Sequence, residues 1–447
     1  MNNQNNDAIY DARKLGTGRM LVLGLQHMFA MFGATVLVPA LTGLSVSATL
    51  LFAGLGTLLF HLITKKKVPA FLGSSFAFLG GYFAFNTNTD PSMIPYASFG
   101  VACAGLMYVV LAAFIKAFGA KRVMRFFPPI VTGPIIIAIG LTLSGSALAN
   151  CQQNWLVALI AVAVIVVCNM WGKGMIKIIP VLMGVIVSYA AAALMGIVDT
   201  SAIASAPWIG LPVAMDQTVF SLFGKADTSL LITAVITILP ISLATMVEHI
   251  GDISAISSTV GENFIEDPGL HRSLTGDGLA TTLAALFGAP ANTTYGENTG
   301  VLNLTKVYDP RVIRLAAVFA IILSFSPKFA ALVSAMPAAT IGGISLVLYG
   351  MISAAGVRNV VENRVDFTNN RNVIIAALIL VLSIGIKYGT GAAEAIVINA
   401  GAVTISLSGL AVAAIVGILL NALLPGKDYE FEADKKEDAE KFPKFNV

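Results

Sequence analysis

Charged residues are scarce in this chain: 11% of its 447 residues are Asp, Glu, Lys or Arg, against about a quarter in a soluble domain. That scarcity excludes an ordinary water-soluble globule. Cysteine is nearly absent. Cys103, Cys151 and Cys168 show no metal-ligand spacing, so neither a disulfide framework nor a metal site is expected. No P-loop, dinucleotide-binding glycine run or nucleophile elbow occurs, which argues against a nucleotide-driven pump and against an enzyme. No apolar run is rich in arginine, which argues against a voltage sensor. With a net charge of only +3, no nucleic-acid partner is expected.

Apolar residues are abundant instead, at 57%, with a mean hydropathy of +0.84. Apolar stretches long enough for a hydrocarbon core of roughly 30 Å recur along almost the whole sequence. A polytopic, all-α membrane protein is expected, with the lipid bilayer as its surroundings. The opening "MNNQNNDAIYDARKLGTGR" lacks an apolar core followed by small residues, so no cleaved signal peptide is expected.

Fourteen candidate spans lie near 19–41, 46–63, 68–85, 96–119, 127–149, 154–171, 176–198, 229–250, 270–288, 289–305, 311–327, 337–355, 371–387 and 403–424. With the N-terminus inside, only Lys225, Lys328 and Lys387 fall outside, which leaves 24 of the 27 basic residues inside. Because basic residues gather on the cytoplasmic side of short loops, both termini are expected to be cytoplasmic. The expected organisation is a cytoplasmic segment 1–18, a first half 19–198, an outer connection 199–228, a second half 229–424 and a cytoplasmic tail 425–447.

The two halves carry faint echoes of each other. "LQHMFAMFGA" places Gln26 and His27 opposite Glu248 and His249 of "VEHIGDISAI". Ser75 of "PAFLGSSFAF" follows Gln26 by 49 residues, and Thr294 of "APANTTYGEN" follows Glu248 by 46. "FPPIVTGP" and "MPAATIGG" match next, in the same order. Seven spans per half is an odd number, so the second half enters the membrane from the opposite side. Such an inverted repeat places a site near the midplane.

Spans 3 and 10 are the least helix-like, because Pro, Gly, Ser, Thr and aromatic residues replace runs of Leu and Ala. Extended backbone cannot face lipid unpaired. The two segments are therefore expected to pair with each other as short strands, each followed by a half-helix whose N-H groups point at the centre.

Ionisable groups inside a span point to function. Glu248 and Asp252 are four residues apart and share a helix face. They repel when both are ionised, so a proton held between them suits a proton-coupled carrier, with Asp252 alternatively a solvated group at the cytoplasmic edge. Glu297 is the third candidate for proton coupling, or else a helix cap. Phe76 and Tyr295 occupy matching repeat positions and can stack on a flat ligand or simply pack. Gln26, His27, His249 and Asn298 adjoin these residues as supporting groups or interhelical hydrogen bonders. Asp277 and His61 receive no role.

These residues carry a resemblance. "ENTGVLNLTK", Glu297 to Lys306, fits every specified position of the signature of the nucleobase:cation symporter-2 family: Gln, Glu or Pro, then Asn, any residue, Gly, four residues, Thr, and a basic residue or Gly. "LGSSFAF", "VEHIGD", "EDPGLHRS" and "NTTYGEN" resemble its bacterial uracil permease branch, over about residues 19–425. The resemblance implies fourteen spans in two inverted seven-span repeats, arranged as core and gate domains, with short strands in spans 3 and 10. It implies Glu248 and Glu297 on the polar edge of a base, the backbone of Tyr295, Gly296 and Ala34 lining the site, Phe76 on the ring and Ser75 close by. The activity implied is import of uracil with a proton across a bacterial inner membrane, without a cofactor, by a protein of a family in which homodimers are common. Asp252 departs from that branch, where His is frequent, and matches purine carriers, whereas Glu at 297 favours uracil. A xanthine symporter, a nucleobase sensor and an anion channel are the alternatives.

Overall fold

The structure is a computed structural model and describes residues 8–391, 394–400 and 403–426. Nearly all of the expected 425–447 tail and the first residues of the N-terminal segment lie outside the described residues. Helices of six or more residues are α1 (Thr17–Thr42), α2 (Val46–Ile63), α3 (Leu79–Ala84), α4 (Ile94–Phe118), α5 (Pro129–Cys151), α6 (Trp155–Trp171), α7 (Pro180–Leu194), α8 (Thr228–Ile238), α9 (Ile241–Val260), α10 (Leu270–Leu286), α11 (Gly296–Thr305), α12 (Pro310–Ser324), α13 (Pro327–Ser334), α14 (Ala338–Glu362), α15 (Asn370–Gly389) and α16 (Gly409–Leu423). Among the described residues four short strands accompany them: β1 (Leu72–Ser74), β2 (Asn292–Thr294), β3 (Ala395–Ala400) and β4 (Val403–Ser408).

Helix is the only local structure that satisfies a lone apolar segment's backbone in a medium without water. Short polar side chains start many of these helices. Ser45 accepts from the Ala48 amide, Asn154 from Val157, and Asp309 from Arg311. Among the described residues seven helices are long and apolar enough to cross a bilayer alone, or eight if α12 and α13, bent by 89°, count as one. Each of the fourteen expected segments holds at least one helix, and the shorter ones include α6, α7 and α16.

The helices pack in two groups, and the packing repeats itself. One group holds α1, α2, α4, α10 and α12; the other holds α5, α6, α7, α14, α15 and α16. In the first, α2 lies against α12 as α10 lies against α4. In the second, α6 meets α7 as α15 meets α16, and α6 crosses α14 as α15 crosses α5. Matched pairings of this kind accord with two copies of one seven-span unit. The most extensive helix pairing joins α5 to α14, where a side chain on Gly140 or Gly356 would overlap the opposing backbone.

Three details differ from the sequence reading. Residues 403–408 are a strand, paired antiparallel with β3 in the register Ile396↔Leu407 and Ile398↔Ile405. The β-branched run in both arms suits strand better than helix. Span 8 is broken near Pro240, where a ring without an N-H interrupts the ladder between α8 and α9. Helix α9 then runs on to Val260, so Asp252 lies within the helix and not past its end.

Candidate functional site

Spans 3 and 10 are broken, and they meet. β1 and β2 pair antiparallel as Leu72↔Thr294, Gly73↔Thr293 and Ser74↔Asn292. The ladder is extended at both ends, by the Ser75 amide donating to Ala291 O at 2.8 Å and the Tyr295 amide to Phe71 O at 3.1 Å. The ribbon's outer edges find partners in neighbouring helices. Thr57 Oγ1 accepts from the Leu72 amide at 2.9 Å, Thr281 Oγ1 donates to Asn292 O at 2.7 Å, and Asn292 Nδ2 donates to Phe52 O at 2.9 Å. Extended backbone thus sits deep in the protein with its polar groups satisfied by protein rather than lipid.

Two close approaches fix the ribbon's mouth. Gly73 carries no side chain because the Tyr295 ring lies where a Cβ would stand. The Tyr295 hydroxyl donates to Ser74 O at 2.9 Å, and Ser74 Oγ donates to Thr35 O at 2.8 Å. Helix α11 begins immediately after Tyr295, whose side chain makes no cap bond to the first turn. A ten-residue half-helix therefore presents first-turn amides and the positive end of its dipole.

The carboxylates gather beside that end. Glu248, Asp252 and Glu297 are each half-buried, and Glu248 lies within electrostatic reach of Asp252, Asp277 and Glu297. Glu248 Oε2 is buried without a hydrogen-bond partner. Asp252 is tethered instead: Thr294 Oγ1 of β2 donates to its Oδ2 at 2.7 Å. Glu297 occupies the second position of α11, whose next residue, Asn298, is buried.

The supporting residues separate into different tasks. Asn298 Nδ2 donates to His27 O at 3.1 Å and lies 3.2 Å from His27 Nδ1, which ties α11 to α1. Gln26 turns its amide toward Met175 Sδ. His249 meets Asp277 of α10, its Nδ1 2.7 Å from Asp277 Oδ2, and both side chains are fully buried. Ser75 continues the ribbon while its hydroxyl has no partner. Ala34 is buried on α1, and Phe76 meets Tyr349 of α14 edge-on, with ring centroids 5.7 Å apart. Among the described residues no three His, Cys, Asp or Glu side chains are grouped to hold a metal ion.

Three residues of this neighbourhood escaped the sequence reading. Asp277 stood out as an acid among small residues in "TGDG", but its partner lies on another helix. Tyr349 sits in an apolar run and gave no signal at all. Thr294 passed as a strand former, though it holds a carboxylate.

A strap from the N-terminus anchors the far ends of the same elements. The Ile9 amide donates to Lys306 O at 2.9 Å and the Tyr308 amide to Ile9 O at 2.8 Å. The Ala12 amide donates to Asp309 Oδ2 at 2.8 Å, and the Tyr10 hydroxyl reaches Val260 O at 2.9 Å. Hydrogen bonding from Arg13, with the charges of Arg13 and Arg311, holds the Asp11 carboxyl down to about 2.

Comparison with known proteins follows the same lines. A family model described as the Permease family matches residues 18–392. The uracil permease of Bacillus caldolyticus is 44% identical over 421 residues, covering 92% of this chain and 93% of that protein. Those of Bacillus subtilis (strain 168) and Escherichia coli (strain K12) are 39% and 38% identical, with 92% and 90% of this chain and 94% and 90% of those proteins covered. Among solved structures, the transmembrane domain of the cyanobacterial bicarbonate transporter BicA superimposes with a TM-score of 0.59 at 15% identity, covering 93% of this chain and 99% of that one. SLC26A9 gives 0.61 at 13% identity, covering 93% and 66%. At such low identity these two share the fold only.

Proposed function

Because the chain belongs to the Permease family, in its nucleobase:cation symporter-2 uracil permease branch, we propose that it imports uracil together with a proton. The observation that carries the reading is the N-terminus of α11, left without a cap bond from Tyr295, beside the half-buried Glu248 and Glu297. Uracil is flat and neutral, with two N-H donors and two carbonyls. Carboxylates accept from the donors and α11 amides, with the backbone of Tyr295, Gly296 and Ala34, serve the carbonyls. Hydrogen bonds to a charged group are worth roughly 1.5–3 kcal/mol each, enough for two or three to select a base over an apolar ring.

Glu248, Asp252 and Glu297 share the coupling proton in this proposal. A proton on one of them relieves mutual repulsion, completes the donor–acceptor match to the base and frees the loaded core to move. Phe76 covers one face of the ring while Tyr349 approaches from the other helix group, and rigid-body movement of core against gate exchanges access between sides. We place both termini in the cytoplasm of a bacterial cell, the protein in its inner membrane, and the repeats at 19–198 and 229–424. The Gln26, His27, His249 and Asn298 side chains brace the site, and no cofactor takes part.

Purified protein in proteoliposomes tests this. Labelled uracil accumulates under an inward proton gradient and equilibrates without one. Absence of accumulation, or normal uptake by Glu297→Ala, refutes the reading. Asp252 favours one second reading, a xanthine symporter, which predicts that excess xanthine abolishes uptake of uracil.

A further inference from the structure

A chamber of about 690 Å³ lies on the side of the site away from the N-terminal strap. Its size falls in the range of small-molecule sites, roughly 300–1,000 Å³. Both helix groups build it: Ala77 and Gly80 follow Phe76 on span 3, Thr237 and Ile241 come from span 8, and Ile139 and Leu410 face them from α5 and α16. Val397 and Ser406 of the β3–β4 hairpin also line it. In the proposed orientation this is the outer side.

One helix joins the chamber to the central site. Ile241 is the first residue of α9, and Glu248 lies seven residues further along the same helix, roughly 10 Å at about 1.5 Å per residue. Phe76 of the edge-on Phe76–Tyr349 pair, the two exposed by 7% and 2%, lies next to the chamber in the chain. Ala77, the neighbour of Phe76, is already chamber wall.

The walls suit a flat, neutral, polar solute. Phe83, Phe85 and Leu143 offer apolar surface. Thr237 is 3% exposed, and its hydroxyl has no hydrogen-bond partner, a costly state for a buried donor. Lys387 and Glu394 pair at the hairpin's root, and Asp90 faces the same space. Asp90 Oδ1 also accepts from the Ser92 amide and hydroxyl, so the chamber's charged groups are largely matched within the protein and leave it little net charge.

We propose that this chamber is a second, outer binding site that holds a small planar solute with N-H and carbonyl edges, such as a nucleobase, before the Phe76–Tyr349 pair parts. It rests on the reading of the chain as a nucleobase carrier. Gly80 lines the chamber with nothing within 4 Å of an added Cβ, so Gly80→Phe fills the space without a clash at its first atom.

The test uses a reporter, Thr233→Cys, in protein whose three native cysteines are replaced by alanine, in intact cells. Thr233 is a half-buried wall residue. A membrane-impermeant thiol reagent labels it from outside. Uracil at ten times the outer site's dissociation constant slows labelling about tenfold, since the free fraction falls as one over one plus the ratio. Thr237→Val and Gly80→Phe remove that protection, while purified Thr237→Val still binds uracil at the central site. The decisive arm adds Glu297→Ala, which removes central binding. Protection that survives Glu297→Ala belongs to the chamber. Protection lost with Glu297→Ala, protection untouched by both chamber variants, or no labelling from outside overturns the proposal. Failure of the central reading would show separately, as normal uptake by Glu297→Ala.

Discussion

Gly296→Ala isolates ligand contact from folding. Gly296 is the first residue of α11, is exposed, and has nothing within 4 Å of an added Cβ. Its backbone lies outside the left-handed region, so alanine adopts it without strain. Stability is therefore expected to change by no more than about 0.5 kcal/mol, the range of substitutions that touch nothing. Binding is different, because the methyl group projects where a base must approach the helix amides. Loss of one such hydrogen bond costs about 1–3 kcal/mol, which weakens uracil by about five- to 150-fold. Thermal unfolding and isothermal titration of the detergent-purified protein measure the two effects side by side. A dissociation constant within about twofold of the parent, with unfolding unchanged, would refute the placement of the ligand at the α11 N-terminus.

Three further expectations follow from the same geometry. Gly73→Ala pushes a Cβ into the Tyr295 ring, an overpacking worth about 1–3 kcal/mol, so its unfolding temperature falls where that of Gly296→Ala does not. Thr294→Val strips the 2.7 Å hydroxyl from Asp252 and costs about 1–3 kcal/mol for the carboxylate left unpaired; Thr294→Ser restores the loss in the same thermal assay. Because the Asp11 carboxyl is held down to about 2, its contribution to the strap is present above its unfolded pKa near 4 and fades only as pH falls toward 2. Amide exchange of residues 8–16, corrected for intrinsic rates, stays protected from pH 6 to pH 4, and loss of protection at pH 5 would contradict the assignment.

The architecture was legible because a bilayer removes choices. Long apolar runs have to be helices, and the Pro, Gly and Ser of 68–85 and 289–305 have to be satisfied by protein, so the β1–β2 pairing follows from the residues alone. Glu248 and Glu297 were legible for the same reason, as ionisable groups where charge is costly. Pairings across helices were not. His249 adjoins Glu248 in sequence but turns to Asp277, since neighbours on a helix point about 100° apart. Asn298 reads as a supporting group or an interhelical hydrogen bonder, and its amide does bond across to His27, but which helix it would meet was not written in the sequence. The β3–β4 hairpin was hidden because the apolar arm Val403–Ser408 runs straight into the apolar helix α16, so strand and helix read as one span. Tyr349 was invisible because nothing local distinguishes a packing tyrosine from one that meets Phe76 across two helix groups.

The account depends on a small base lodging between the mouth of the β1–β2 ribbon and α9. Bromine at position 5 of uracil gives an anomalous signal in crystals of the complex. The account predicts a peak beside the N-terminus of α11, within contact of Glu248, Glu297 and the Phe76 ring. A well-occupied complex with no peak at the ribbon's mouth would contradict it.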